Sequence, residues 1–262
     1  KIIPYEKHTV LVRFAEFKIG TLKFGPAYIP TYLFTSILSG ISLFYLSIKE
    51  AKRKKVDMKD FISFLFVSFI SGLIFSRLFY FLFYYNQSNV NIVLLFFNFS
   101  KSGLTSFGGF FGGTVGVIIF YLLRRKKVNI WKYLDIVSIG IMLGLVFGRV
   151  GCFFAGCCYG KEIVMNIPWA IQYKDALRHP TQLYDLLNAL FVFIVLQRLK
   201  YKKLFDGSMF LIMLFLYSFI RIVIEFFRVG HRVYGFTSNQ YFYFVLLVVS
   251  LGIYFYKYKK KN

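Results

Sequence analysis

Seven stretches of this chain, near residues 28–48, 61–85, 103–123, 134–158, 183–199, 208–228 and 239–257, are apolar over most of their length. A helix needs about 20 such residues to cross hydrocarbon, so each is long enough to span once tilt is allowed. The fifth is the shortest and is interrupted late by Gln197 and Arg198. Lipid offers the backbone no hydrogen-bonding partner, which restricts spanning segments to helices or closed barrels, and runs of this length favour helices. The whole chain has 262 residues, 58% of them hydrophobic and 22% aromatic, which is too apolar for a water-soluble domain. The sequence therefore predicts an all-α integral membrane protein with about seven transmembrane helices.

The charge pattern orients those spans. Formal net charge is +22, a value that on its own suggests nucleic acid, but the basic residues fall in short clusters between apolar runs. Lys49, Lys52, Arg53, Lys54, Lys55 and Lys59 form one cluster, and Arg124, Arg125, Lys126, Lys127 and Lys132 a second. Arg198, Lys200, Lys202 and Lys203 form a third, and Lys257, Lys259, Lys260 and Lys261 close the chain. They lie on alternate turns, which under the positive-inside rule puts them in the cytoplasm and reads the charge as topology, with no nucleic-acid partner. Residues 86–102, 159–182 and 229–238 then lie outside with the N-terminus, and the C-terminus is cytoplasmic. Lys7, Arg13, Lys18 and Lys23 weigh against an external N-terminus, but an even number of spans breaks the alternation elsewhere. The expected division is an external or interfacial segment 1–27, a seven-span membrane domain 28–257 and a basic tail 258–262. Lys1 to Gly25 lacks the long apolar core of a signal peptide and is expected to belong to the mature protein.

Against this background Arg149 is costly. It sits inside the fourth run, where insertion scales put a central arginine at about 2.5–3.5 kcal/mol, so it faces protein, water or an anion. Arg221 repeats the theme in the sixth. Tyr217, Arg221, Glu225 and Arg228 stand at i−4, i, i+4 and i+7, on one stripe of one helix. The plain reading is an internal Arg–Glu pair. The functional reading rests on two cations for one anion, a surplus that a phosphate stabilises through the planar guanidinium fork.

Glycines recur four apart: Gly108/Gly112, Gly109/Gly113 and Gly112/Gly116 in the third run, and Gly140, Gly144 and Gly148 in the fourth. Such spacing lets helices approach closely, which is the plain reading. The alternative is an opening through which a lipid head group reaches backbone amides. Before the fifth run, Arg178-His179-Pro180-Thr181-Gln182-Leu183-Tyr184-Asp185 places Pro180 and Thr181 at a helix start, with Thr181 as the expected cap and His179 at the membrane boundary. Cys152, Cys157 and Cys158 form no C-x-x-C pair, so they read as small core residues and no metal site is expected.

These residues carry a resemblance. Gly148-Arg149-Val150-Gly151 and the stretch on to Tyr159-Gly160 resemble the signature of the prolipoprotein diacylglyceryl transferase family, and the His179 octapeptide is similar to that family's Arg-His-Pro-Ser-Gln-Leu-Tyr-Glu motif. Arg221 to Arg228 resembles its late arginine helix, Ser106 to Gly113 its Gly-rich third span, and Tyr32 an early tyrosine of its first span. The matches run in family order over roughly 20–250. The resemblance implies a bacterial, multi-pass enzyme of the cytoplasmic (inner) membrane. Its partners are phosphatidylglycerol, the signal peptide and lipobox of a preprolipoprotein, and membrane lipid, and it needs no cofactor. It would join diacylglycerol to the lipobox thiol as a thioether and release glycerol 1-phosphate. Arg149 and Arg221 match the essential arginines. Tyr32, Arg77, Gly108, Gly109, Cys152, Gly160, Gln182, Tyr217, Glu225 and Arg228 are the expected substrate-binding set.

The chain also departs from that pattern. Phe107 stands where many members have histidine, Cys152 where many have asparagine, and Cys157 at an acidic position. His179 is therefore the candidate base, the alternative being a thiol ionised by the field of the arginines. Two other classes stay open: a transporter of an organic anion, although no repeat relates the two halves, and a catalytically silent lipid-binding relative.

Overall fold

A computed structural model of the chain describes residues 21–24, 27–84, 105–124, 127–163, 167–173, 176–230 and 232–261. Seven helices account for most of these residues: α1 (Thr31–Arg53), α2 (Met58–Tyr84), α3 (Ser106–Leu123), α4 (Ile130–Phe154), α5 (Thr181–Leu199), α6 (Ser208–Glu225) and α7 (Ser238–Lys261). Three short hairpins join or precede them: β1 (Thr21–Phe24) with β2 (Ala27–Pro30), β3 (Ile171–Tyr173) with β4 (Ala176–Arg178), and β5 (Arg232–Val233) with β6 (Phe236–Thr237). Each expected span holds one helix. All but α3 are long and apolar enough to cross a membrane, and α3 carries a shorter apolar helix, Phe107–Leu123. The expected loop 86–102 and residues 1–20 lie outside the described residues.

Several boundaries differ from the expected ones for physical reasons. Residues 28–30 pair with β1 as strand β2, so the first helix begins at Thr31. The fourth helix ends at Phe154, where Gly156 turns the chain with a left-handed φ of 62°. The sixth ends at Glu225, because Lys161 N donates to Phe227 O at 2.8 Å and Gly160 bridges Arg228. Gln197 and Arg198 do not interrupt α5, which stays helical to Leu199.

Large apolar side chains cover much of the outside, and polar groups lie inside beside the apolar core. Large apolar side chains such as Phe66, Leu82, Leu123 and Phe255 stand exposed, while Ser47, Ser138, Thr181, Asp185, Arg221 and Glu225 are buried. Faces of that kind need lipid to cover them.

The helices fall into two compact units, Lys1–Ser47 with Leu134–Asn262, and Ile48–Tyr133. In the second, α2 and α3 meet through the predicted glycine row. A β-carbon on Gly108 would come within 2.5 Å of Phe75 O, and one on Gly112 within 2.5 Å of Ser71 O. Ser71 Oγ donates to Gly112 O at 2.7 Å, and Thr105 caps α3 by accepting from Gly108 N at 3.3 Å. Packing thus accounts for Gly108 and Gly112, the plain reading of that row. Phe61, Phe64, Phe120 and Tyr133 close this unit, with edge-on ring pairs about Tyr133 and Phe64.

In the first unit Gly140 and Gly144 let α4 lie against α1, where β-carbons would reach Leu43 O at 2.6 Å and Ser39 O at 3.2 Å. Ile139, Met142, Val192, Leu196, Met209 and Met213 form the apolar core of α4, α5 and α6. Asp135, near the start of α4, fixes the start of α6: its Oδ2 accepts from Gly207 N at 2.8 Å and its Oδ1 from Phe210 N at 2.9 Å. The opposite ends of these helices then converge on the site.

Candidate active site

Four helix ends meet in the first unit, and each brings a polar group. Arg149 lies near the end of α4, Asp185 one turn into α5, Arg221 and Glu225 at the end of α6, and Asn239 and Gln240 at the start of α7. The α7 start is a capping box. Thr237 Oγ1 accepts from Gln240 N at 3.2 Å, and Gln240 Oε1 accepts from Thr237 N at 2.9 Å. That box holds the outer oxygen of Glu225, which accepts from Asn239 Nδ2 at 3.0 Å and from Thr237 Oγ1 at 3.4 Å.

Asp185 is the centre of the arrangement. Arg149 Nη2 and Arg228 Nη1 lie 3.4 and 3.6 Å from its Oδ2, and Arg221 Nε lies 3.4 Å from its Oδ1. Arg221 Nη1 is also 2.9 Å from Glu225 Oε2, and Arg228 Nε 3.9 Å from the same atom. Three guanidiniums thus face two carboxylates, leaving one positive charge in excess. The Arg221, Asp185 and Glu225 side chains are almost wholly buried, whereas Arg149 and Arg228 keep 16% and 17% of their side-chain surface. The deep end of the cluster is closed, and its partly open end is cationic.

These ion pairs are close in distance but poorly directed. Arg221 Nε and Nη1, both oxygens of Asp185 and Glu225 Oε2 are buried without an in-line hydrogen bond. Buried polar groups ordinarily find such bonds, because leaving one unmade costs roughly 1–3 kcal/mol. An anion with several oxygens supplies what the carboxylates do not. Tyr243 adds a ring 5.4 Å from the Arg221 guanidinium, and Tyr217 lies 6.2 Å from Tyr243.

The segment between α4 and α5 frames the cluster. Gly160 N donates to His179 O at 2.9 Å, and a β-carbon on Gly160 would meet Phe227 O at 2.5 Å and His179 Cβ at 2.7 Å. Only glycine fits where the His179 segment and the turn carrying Arg228 both approach. Gln182 Nε2 donates to Cys157 O at 2.6 Å. Thr181 is not the cap expected from sequence: Pro180 takes that place without a side-chain bond, and Thr181 Oγ1 donates to Cys158 O at 2.7 Å. The hydroxyl pins the preceding loop to α5 instead.

The structure brings Arg149, Arg221, Arg228 and Glu225 together, with Gly160 and Gln182 in the frame. Arg228 arrives by a turn beyond α6, which corrects the expected single helical stripe. The Tyr32 ring lies against Gly151, with Arg149 and Cys152 in its electrostatic surroundings. His179 Nδ1 is 3.2 Å from Tyr184 Oη, which accepts from Trp169 Nε1 at 2.9 Å, and its ring packs 4.9 Å from Phe227. Burial, then Lys161, holds the His179 imidazole below its ordinary value. Arg77, Gly108 and Gly109 belong to the second unit, with Arg77 buried and its guanidinium 5.9 Å from the Phe81 ring. Sequence reasoning missed Asp185, Tyr243 and Asn239. Asp185 carried a signal, since it is the one acid in the fifth apolar run.

Fold and site together define a multi-span helical membrane protein with a buried cluster of three arginines and two carboxylates. Comparison with known proteins narrows that class. The family model for prolipoprotein diacylglyceryl transferase matches residues 20–256. A phosphatidylglycerol–prolipoprotein diacylglyceryl transferase of Campylobacter jejuni is 34% identical over 160 residues, 58% of this chain and 58% of its own. One of Aliarcobacter butzleri is 34% identical over 160 residues, 58% and 57% of the two chains. One of Streptococcus pneumoniae is 32% identical over 252 residues, 92% of this chain and 94% of its own. The match thus spans somewhat over half the length of the first two relatives and nearly all of the third. This chain belongs to the prolipoprotein diacylglyceryl transferase family.

Proposed function

We propose that this protein transfers the diacylglyceryl group of phosphatidylglycerol to the lipobox cysteine of preprolipoproteins in the bacterial cytoplasmic membrane. The observation that carries the reading is the shared Asp185 between Arg149 and Arg221, with a third arginine and one surplus positive charge. Arg149, Arg221 and Arg228 take the lipid phosphate, and Asp185 and Glu225 hold the guanidiniums in place. The lipobox thiolate attacks the terminal glyceryl carbon of the diacylglyceryl group. A C–S bond forms, the C–O bond to phosphate breaks, and glycerol 1-phosphate leaves. Preorganised cations meet the charge as it develops, and anchoring both substrates in the bilayer replaces a free encounter by a near-fixed one. Tyr32, Cys152, Gly160, Gln182 and Tyr217 shape the lipid site. The site faces outward, with the N-terminus outside and the C-terminus cytoplasmic.

The test is to incubate purified protein with labelled phosphatidylglycerol and a lipobox peptide. Equal amounts of thioether and glycerol 1-phosphate are expected. Lipid binding without thioether, or anion movement across vesicles without it, contradicts the reading.

His179 receives the thiol proton in this scheme. Its depressed pKa leaves the imidazole neutral at pH 7, so the rate should stay level down to about pH 6.5, the ordinary histidine value, and fall only below it. His179→Gln should lower kcat/KM by about 10²-fold and remove that acid limb. An unaltered pH profile in the variant would assign the proton to another group.

A further inference from the structure

Cys152, Cys157 and Cys158 are five and six residues apart, so no single helix face aligns them. The turn after α4 does. Cys157 N donates to Cys152 O at 3.1 Å, Gly156 adopts a φ of 62° and Cys158 one of 60°. All three sulfurs then lie within 4.8 Å of one another. Gln182 and Thr181 hold the carbonyls of Cys157 and Cys158 at 2.6 and 2.7 Å, so the loop is tied to α5.

We propose that the three cysteines form a thiolate site for a soft monovalent d10 cation, of which Cu(I) is the representative. At a metal–sulfur distance of about 2.3 Å, a trigonal ion holds its sulfurs ~4 Å apart, within the separation observed here. Thiolate donors select Cu(I), and three of them complete its coordination. A closed structural zinc site takes four protein ligands, and among the described residues the group contains three. A disulfide is less well served, because Cys157 and Cys158 are chain neighbours and any pairing strands the third sulfur. On binding, each thiol passes its proton to solvent, and three thiolates with one Cu(I) form a dianion. Arg149 and Arg228 both act electrostatically on Cys158 and offset that charge. Cys158 is exposed and the other two are partly so, which leaves the ion a route in.

Because the same two arginines serve the phosphate in the proposed function, copper is also expected to slow transfer. That consequence rests on the transferase reading, but the binding does not.

The experiment titrates reduced, detergent-purified full-length protein with Cu(I) buffered by bicinchoninate, without oxygen. One equivalent should leave the chelator, with a thiolate-to-copper band in the ultraviolet and three sulfurs in the X-ray absorption spectrum. Cys158→Ser and Cys157→Ser, each checked for a single size-exclusion peak, should weaken binding by at least 100-fold. Failure of the protein to draw Cu(I) from the chelator overturns the site. So does tighter binding of Zn(II) at matched free concentration, or equal copper uptake when all three cysteines are serine. None of these readouts uses catalysis, so their failure leaves the transferase reading standing, and absence of thioether formation leaves the copper result standing.

Discussion

Arg221→Ala is expected to lower kcat/KM for diacylglyceryl transfer by at least about 10³-fold, or ~4 kcal/mol of lost transition-state stabilisation. Arg221 is the deepest of the three arginines, pairs with both carboxylates and keeps two donors without an in-line acceptor. Its removal takes away the most desolvated cation, where a charge acts most strongly. It also leaves Asp185 and Glu225 with Arg149 and Arg228 alone, so stability falls too, because breaking a buried ion pair costs roughly 3–5 kcal/mol. Activity must therefore be measured on protein that remains membrane-inserted and monodisperse. Arg221→Lys separates charge from shape: a point charge without the planar fork should recover part of the rate. Full activity in the alanine variant would remove Arg221 from the chemistry.

Asp185→Asn is the second large effect, and it acts through the arginines. Asp185 Oδ2 is shared by Arg149 and Arg228 and its Oδ1 faces Arg221, so one carboxylate sets the spacing of all three. An amide of equal size keeps one accepting oxygen and turns a donor toward the other guanidiniums. The excess charge rises by one while the common anchor is lost. We expect a ~100-fold fall in kcat/KM, about 2.7 kcal/mol, and a lower melting temperature in neutral detergent. Added anionic lipid should restore more of that melting temperature in the variant than in the wild type, because the variant holds more uncompensated positive charge. A variant as active as wild type would show that the arginines are positioned by something else.

What was legible in advance follows from what each residue costs. A cation in an apolar run is expensive wherever the neighbouring helices lie, so Arg149 and Arg221 stood out before any packing was known. Glycines four apart announced close helix approach, and Gly108, Gly112, Gly140 and Gly144 make such approaches. Asp185 was easy to pass over, since an acid near a helix N-terminus is ordinary and only the meeting of α4, α5 and α6 makes it the shared partner of three arginines. Tyr243 was hidden by composition, because α7 carries aromatics on every side. Arg228 seemed to extend a helix that a distant pairing with Gly160 ends three residues sooner. The cysteines looked unrelated because left-handed backbone at Gly156 and Cys158, which linear spacing does not reveal, folds them together.

The central claim is that these guanidiniums form one receptor for a lipid phosphate. The measurement that reaches it most directly compares the affinity of purified protein for phosphatidylglycerol with that for diacylglycerol of the same acyl chains, which lacks only the phosphoglycerol group. The wild type should prefer phosphatidylglycerol by at least ~100-fold, about 2.7 kcal/mol, and the double variant Arg149→Ala/Arg221→Ala should bind the two lipids equally. A double variant that keeps the preference would place phosphate recognition elsewhere in the protein.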